Sequence, residues 1–490
     1  MIVMAYGTDR AGLAKQIDEL RSGEGYLFAG SPKFLGLFGR DSLISAWQLL
    51  DYDLSIAERG LSNRGHDVTL FAAEGSSISS SNVNVVTVGP ALWSKSESGS
   101  HMVTNEQIKA GIKRSLDVAY RNAKGLDIIH SHLDESLQDR RFGRIPTLNT
   151  IHGDVRSMSA QVRNASFNNR PLAFISKSQE RMVPTANSMG VIYNGINPNS
   201  ITPSYKPGDY LVFLGRVSPE KGMHVALDVA KATGTKIVAM YREPILNDGD
   251  EIANSDWRYY KEYVKPRFEL CNGLLERVVD PKVEVRDQIL RGALALIGPS
   301  GAPPSTWSEP FGLFVVEAMA SGTPAIVYNK GGPAEIVING ETGYIAKSTS
   351  EKGIIAEMSN AVEKLKAMGA YPRLKSRLRV EEQFSTDKMA EGYEDAYRRV
   401  MRRFASAGGL IFSTILGVPK SFTEPTALLN TATSPSGNYM RDMFYQQFIS
   451  NLRVLSMIPS QELPYIVGAG ICLSIYLYRD MSVRARHAFN

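Results

Sequence analysis

Twice along this chain, short continuous apolar runs alternate with helix-length segments, and no other feature constrains the fold as much. The first set is "HDVTLFAA", "VNVVTVG", "LDIIHSH", "PTLNTIHG", "LAFISKS" and "GVIYNGI", within residues 53–205. Runs like these, bounded by Gly, Asn and Asp, are the pattern of strands covered on both faces by crossover helices. After the polar connector "NPNSITPSYKPGDY" the pattern restarts over 206–385 with "YLVFLGRV", "TKIVAMY", "VEVR", "LALIGPS", "TPAIVYN" and "GYIA". The expected class is α/β, with two Rossmann-like, doubly wound domains facing a cleft. Length agrees, because 490 residues exceed the roughly 250–300 at which one core stops growing.

A closing helix is expected over 386–404, where Arg398, Arg399, Arg402 and Arg403 crowd the last turns and suit the negative end of the dipole. An extension of unassigned structure, 405–490, follows, and an atypical segment, 1–52, precedes the first domain. Lys and Arg number 55 against 50 Asp and Glu, an excess spread along the chain rather than gathered in runs. That suits phosphate-bearing small molecules better than nucleic acid. Cys271 and Cys472 stand in no CxxC or Cys/His cluster, so a reducing, cytoplasmic setting is expected. The N-terminus lacks the plan of a secretory signal. The most apolar window, Leu463 to Tyr478, is shorter than the ~20 residues that cross a bilayer.

In facing α/β domains, ligands sit outside the carboxyl ends of the strands. There, "FLGRVSPEKG" carries Gly215, Arg216 and Lys221 into a turn before a helix near Gly222. Glycine permits close backbone approach, and a guanidinium with an ammonium can neutralise a diphosphate; a charged surface turn is the plain alternative. Further on, "STWSEPFGLFVVEAMASG" sets Glu309 and Glu317 on either side of a helix start. Pro310 can open a helix and Gly322 can stop it, which predicts a helix over 311–321. The free amides of Phe311, Gly312 and Leu313 would then form an anion site. Glu317 falls among Phe314, Val315, Val316, Ala318 and Met319, so it needs either solvent on its face or a polar partner such as a ribose hydroxyl. No third carboxylate or His accompanies the pair, which argues against a metal.

Taken together, "FLGRVSPEKG", "SEPFGLFVVEAMASGTPAIVYNKGG" and "GETGYIA", with "RGHDVTLFA", "DIIHSH", "TIHG" and "VIYNGI" before them, closely resemble retaining GT-B glycosyltransferases of family GT4. The resemblance covers about Leu54 to Phe404, and Glu309 through Glu317 matches the family's E-x7-E signature. It implies that Arg216 and Lys221 hold the diphosphate of a nucleotide-sugar donor, that Glu309 faces the transferred sugar and that Glu317 binds the ribose. It also implies that His132 is the cleft histidine, with His130 second and His152 third. The implied reaction is metal-independent transfer with retention to a saccharide, lipid or small-molecule acceptor, with no cofactor. "DYD" at 51–53 and "DGD" at 248–250 are the available DxD triplets, expected in a helix and a turn.

The chain departs from that family at its start. "AGSPKFLGLFGRDSLISAWQLL" resembles a segment of glycogen-debranching-type glycoside hydrolases. "YLFAG" is expected to stand in for the family's first strand, with Gly36 and Gly39 forming the loop and Arg40 or Asp41 near the acceptor. Otherwise the donor loop is lost and the protein is an impaired or non-catalytic sugar-nucleotide binder. A debranching hydrolase is a third reading, on some fifty residues that lack two spaced carboxylates. The arginine-rich helix with "GGLIF" either lies peripherally on an anionic membrane surface or forms a solvated face and a packed appendage.

Overall fold

The computed structural model describes residues 2–5, 61–62, 64–73, 83–89, 105–123, 126–156, 167, 169–242, 244, 251–271 and 273–416. Two compact units divide the chain, 1–397 and 398–490. The first contains both α/β halves. Its N-terminal half is a seven-stranded sheet in the order β3-β2-β1-β4-β5-β6-β7. These strands are β1 Ile2–Ala5, β2 Asp67–Ala72, β3 Val83–Thr87, β4 Ile128–Ser131, β5 Thr147–Ile151, β6 Leu172–Phe174 and β7 Ser188–Val191. The C-terminal half is a six-stranded, fully parallel sheet, β10-β9-β8-β11-β12-β13. Its strands are β8 Tyr210–Leu214, β9 Lys236–Tyr241, β10 Leu275–Val279, β11 Ala295–Gly298, β12 Ala325–Tyr328 and β13 Gly343–Ala346.

The apolar runs became strands because both sheet faces are covered: β4, β5, β6 and β11 are buried at every position. "VEVR" did not. Residues Val283–Gly292 form a helix with Leu290 inward and Val283 and Val285 exposed, and the sixth strand of this sheet is instead Leu275–Val279. The local alternation at 283–286 gave way to the helical placement of Ile289 and Leu290 against the sheet.

The order of strands reverses between β8 and β11, so the crevice of the second sheet opens at their carboxyl ends. In the first sheet the corresponding slot, between β2 and β4, is filled by Ile2–Ala5, antiparallel to both neighbours. This corrects the expectation that "YLFAG" supplies the strand. Because Ile2 pairs with His130 and Met4 with Ile128, the chain leaves β1 at the end of the sheet opposite the carboxyl end of β4. Gly36, Gly39, Arg40 and Asp41 lie outside the described residues, as do "YLFAG", the "FGRDS" segment, both DxD triplets and everything after Leu416.

The halves are joined at the base of the cleft. Ile196 donates to Phe384 O (2.9 Å) and accepts from the amide of Thr386 (2.9 Å). A Cβ at Gly195 would lie 2.4 Å from Ser385 O, so this crossing requires glycine. The final helix, Thr386–Leu416, runs well past the expected end at 404. Its four arginines are therefore mid-helix and do not complement its C-terminal dipole. Among the described residues no helix is long and apolar enough to cross a membrane.

Candidate functional site: a cleft between the two sheets

The site grows from the ends of β8 and β11. After β8 the chain turns through Gly215 and Arg216 to Gly222, whose left-handed conformation (φ 70°) starts the helix Met223–Thr233 as expected. The amide of Gly215 donates to Met240 O (3.2 Å) and so belongs to the sheet. After β11, the loop from Pro299 reaches Gly312, also left-handed (φ 103°), and the helix Leu313–Ala320 begins there. The helix thus starts two residues later than expected, because Gly312 takes a conformation that ends the preceding loop instead of continuing a helix from Pro310. Phe311, now outside the helix, is buried and packs on Tyr193 and Phe384, with ring centroids 6.0 and 5.9 Å away. Gly322 (φ 84°) ends the helix as expected, with its amide donating to Met319 O and that of Thr323 to Ala318 O. Val315, Val316, Ala318, Met319 and Ala320 are fully buried; at about 1.5–3 kcal/mol per large apolar side chain, this fixes the helix rigidly beneath the cleft.

The amides of Phe311, Gly312 and Leu313 have no acceptor among the described residues. Lys221 Nζ donates to Glu309 Oε2 (2.5 Å) and lies 5.9 Å from the centre of the Phe314 ring. Glu309 is 9% exposed. Arg216 pairs with Glu220 (2.7 Å) and Asp256 (3.5 Å). Glu317, 7% exposed, faces Arg286 Nη1 at 3.3 Å. Burial raises its carboxyl above the usual range; Arg286 opposes that shift and Asp287 adds to it. Two glycines hold this loop close: a Cβ at Gly331 would lie 2.3 Å from Glu309 O, and one at Gly332 2.3 Å from Phe311 O.

Opposite stand the carboxyl ends of β4 and β5. His132 Nδ1 and His152 Nε2 share a hydrogen bond (2.7 Å) with their rings stacked at 25°. The outer nitrogens, His132 Nε2 and His152 Nδ1, are buried with no partner among the described residues. Neutral imidazoles joined in this way carry a lone pair at one outer nitrogen and a proton at the other, whichever tautomer is present. His130 is committed elsewhere, with Nδ1 on Tyr397 (2.8 Å) and Nε2 on Thr150 (2.7 Å). Desolvation holds His130 and His132 well below the ordinary imidazole range and lowers His152 to about 4. Neutral histidines in the folded state bind fewer protons than the unfolded chain below their usual ~6.5. Stability is accordingly full above that pH and falls as the pH drops toward about 4. Urea unfolding at pH 7 and pH 5, with and without His152→Gln, should show this loss reduced in the variant.

The structure adds groups that sequence reasoning missed. Burial and the neighbouring Glu135 raise Asp134, two residues beyond His132, to about 7. Gly153, Asp154, Ser178, Gln179 and Met182 of the first half line a small pocket with Ser308, Glu309 and Pro310 of the second. Glu335, after the Gly-Gly pair, spans the halves by accepting from the amides of Lys177 (2.9 Å) and Ser178 (2.5 Å) and from Tyr193 Oη (2.9 Å). The pocket and the contacts of Glu335 were not legible, because the partners lie far apart in the chain. Among the described residues no group of three His, Cys, Asp or Glu side chains could hold a metal ion.

With this geometry in view, comparison with known proteins is informative. Residues 287–374, from the helix before β11 into the helix after Tyr371, match the family Glycosyl transferases group 1. An uncharacterized glycosyltransferase of Methanocaldococcus jannaschii is 26% identical over 300 residues, covering 57% of this chain and 77% of that one. An alpha-1,3/1,6-mannosyltransferase of Neurospora crassa is 33% identical over 114 residues, 22% of this chain and 23% of that one. The solved structure of sucrose-phosphate synthase from Thermosynechococcus elongatus superposes with a TM-score of 0.54 at 19% identity, over 71% of this chain and 92% of its own. That of a glycosyltransferase involved in avilamycin A biosynthesis gives 0.52 at 21%, over 72% and 90%. The chain therefore has the GT-B fold, and residues 287–374 of its second half match the family Glycosyl transferases group 1.

Proposed function

We propose that this protein transfers a sugar from a nucleoside-diphosphate sugar to an acceptor, in the manner of family GT4, with retention of configuration and without a metal ion. The observation that carries this reading is the helix start at Leu313, with Lys221 and Glu309 paired at its mouth. Departure of the nucleoside diphosphate develops charge on the leaving oxygen. The amides of Phe311, Gly312 and Leu313, with Lys221 and Arg216, would stabilise that charge in place of a metal. Lys221 would exchange Glu309 for the phosphate, leaving the Glu309 carboxylate to face the transferred sugar. Arg216 would likewise exchange Glu220 and Asp256. Glu317, further along the same helix, would bind the ribose, and the pair His132 and His152 would close the acceptor side.

Thermal-shift measurements against UDP-, GDP- and ADP-sugars in EDTA test the reading. One nucleotide should raise the melting temperature of the unaltered protein and fail to do so for Lys221→Ala and Glu317→Ala. A shift that needs added divalent cation, or that survives both substitutions, would count against this site.

A further inference from the structure

We propose that Arg286 is a positioning residue for ribose recognition: it acts through Glu317, holding that carboxylate charged and turned so that one oxygen remains for the ribose. The proposal rests on the donor-site reading above and adds a residue to it. Arg286 lies on the helix Val283–Gly292, with its side chain mostly covered. Asp287 holds two of its nitrogens, Nε and Nη2, each at 3.2 Å from Oδ1. The third nitrogen, Nη1, lies 3.3 Å from Glu317 Oε1. No donor among the described residues makes a hydrogen bond to Glu317 Oε2.

Glu317 needs such help. It sits on a helix whose other residues are almost all apolar and buried, and burial pushes its carboxyl toward the neutral form. A diol is gripped by an ionised carboxylate through two charge-assisted hydrogen bonds, about twice as strong as neutral ones, whereas a protonated carboxyl has one acceptor fewer. Among the described residues Arg286 and Asp287 are the charged groups that face this carboxylate. At the C-terminal end of the same helix, Arg377 is occupied by Glu381 and by the carbonyls of Ile201 and Ala320. The guanidinium of Arg286 is therefore the cation that favours the charged form.

Calorimetric titration with whichever of UDP, GDP and ADP binds the unaltered protein, and with its 2′,3′-dideoxy counterpart, decides the matter. Arg286→Met should weaken the ribonucleotide about tenfold and leave the dideoxy analogue within about twofold, while Arg286→Lys, which keeps a cation, stays within about threefold on both. An equal loss on both nucleotides would make Arg286 a structural or phosphate-side residue and overturn the proposal, as would no loss on either. If the unaltered protein binds none of the three diphosphates, the donor-site reading fails first and the proposal falls with it.

Discussion

Lys221→Ala is expected to lower sugar transfer by about 10²–10³-fold, the loss typical of removing one preorganised charge-stabilising donor. What Lys221 touches accounts for the size of the effect. Its ammonium sits between the carboxylate of Glu309 and the face of Phe314, at the start of the helix Leu313–Ala320. In that place it would serve both partners of the reaction: it would receive the leaving diphosphate, and it already pairs with Glu309 before the start of the helix. Removing it therefore costs twice, since Glu309, 9% exposed, is left without its cation next to the arriving phosphates. Lys221→Arg keeps the charge but changes its reach and shape, so recovery should be partial. Rates for the two variants, measured at saturating donor, would separate loss of the charge from loss of its placement. Equal rates for Lys221→Ala and the unaltered protein would remove Lys221 from the mechanism.

The second large effect concerns stability. Arg373 is 1% exposed, yet no carboxylate among the described residues pairs with it. Its nitrogens donate instead to Ser204 O (2.8 Å), Ala293 O (2.5 Å) and Arg291 O (2.6 Å), with Thr323 Oγ1 at 3.4 Å. One guanidinium thus ties the connector between the halves, the turn before β11 and the turn before β12 to the helix Tyr371–Gln383. Burial lowers Arg373 to about 10, so it remains charged at neutral pH. Arg373→Met fills a similar volume but leaves the buried carbonyl of Ala293 and the partly buried carbonyls of Ser204 and Arg291 without this donor. At about 1–3 kcal/mol for each orphaned group, a loss of about 3 kcal/mol or more is expected. Denaturant unfolding followed by tryptophan fluorescence would read it, and a midpoint unchanged from the unaltered protein would refute the assignment.

Much of the second sheet could be read from sequence, for a simple reason. A strand buried on both faces must be apolar throughout, as "YLVFL", "ALIG" and "AIVY" are, and the turns after them must carry the chemistry. The placement of Lys221 and Glu309 followed from those strand ends before any partner was known. The exceptions have local causes. "VEVR" alternates like a strand but belongs to a helix whose buried contact, Leu290, lies beyond the alternating stretch. The start of the Glu309–Glu317 helix moved from Phe311 to Leu313 because Gly312 adopts a left-handed conformation that sequence permits without requiring. Ile2–Ala5, four residues long and antiparallel in an otherwise parallel sheet, gave no periodic signal strong enough to displace "YLFAG" as the expected strand. The ion pairs were not legible at all. Lys221 meets Glu309 across 88 positions of sequence, and the contact of Arg286 with Glu317 depends on how two helices pack on one sheet face.

The electrostatics of the free protein also bear on binding. Arg216, Lys221 and Glu317 each have an opposite charge in contact. A donor must then exchange partners rather than fill an unsatisfied site, and only groups that gain more from phosphate or ribose than they lose from their present partner favour binding. Glu309 would be the group released by this exchange. It would become free where the transferred sugar is expected, close to Asp154 and Gly153 across the pocket.

The most direct test of the account is release of nucleoside diphosphate from UDP-, GDP- and ADP-sugars incubated with EDTA-treated protein, followed by chromatography, with water serving as a slow acceptor. Slow release is expected from one of these donors, unaffected by the chelator and abolished by Lys221→Ala. Release that appears only on adding a divalent cation, or that is as fast in Lys221→Ala as in the unaltered protein, would contradict it.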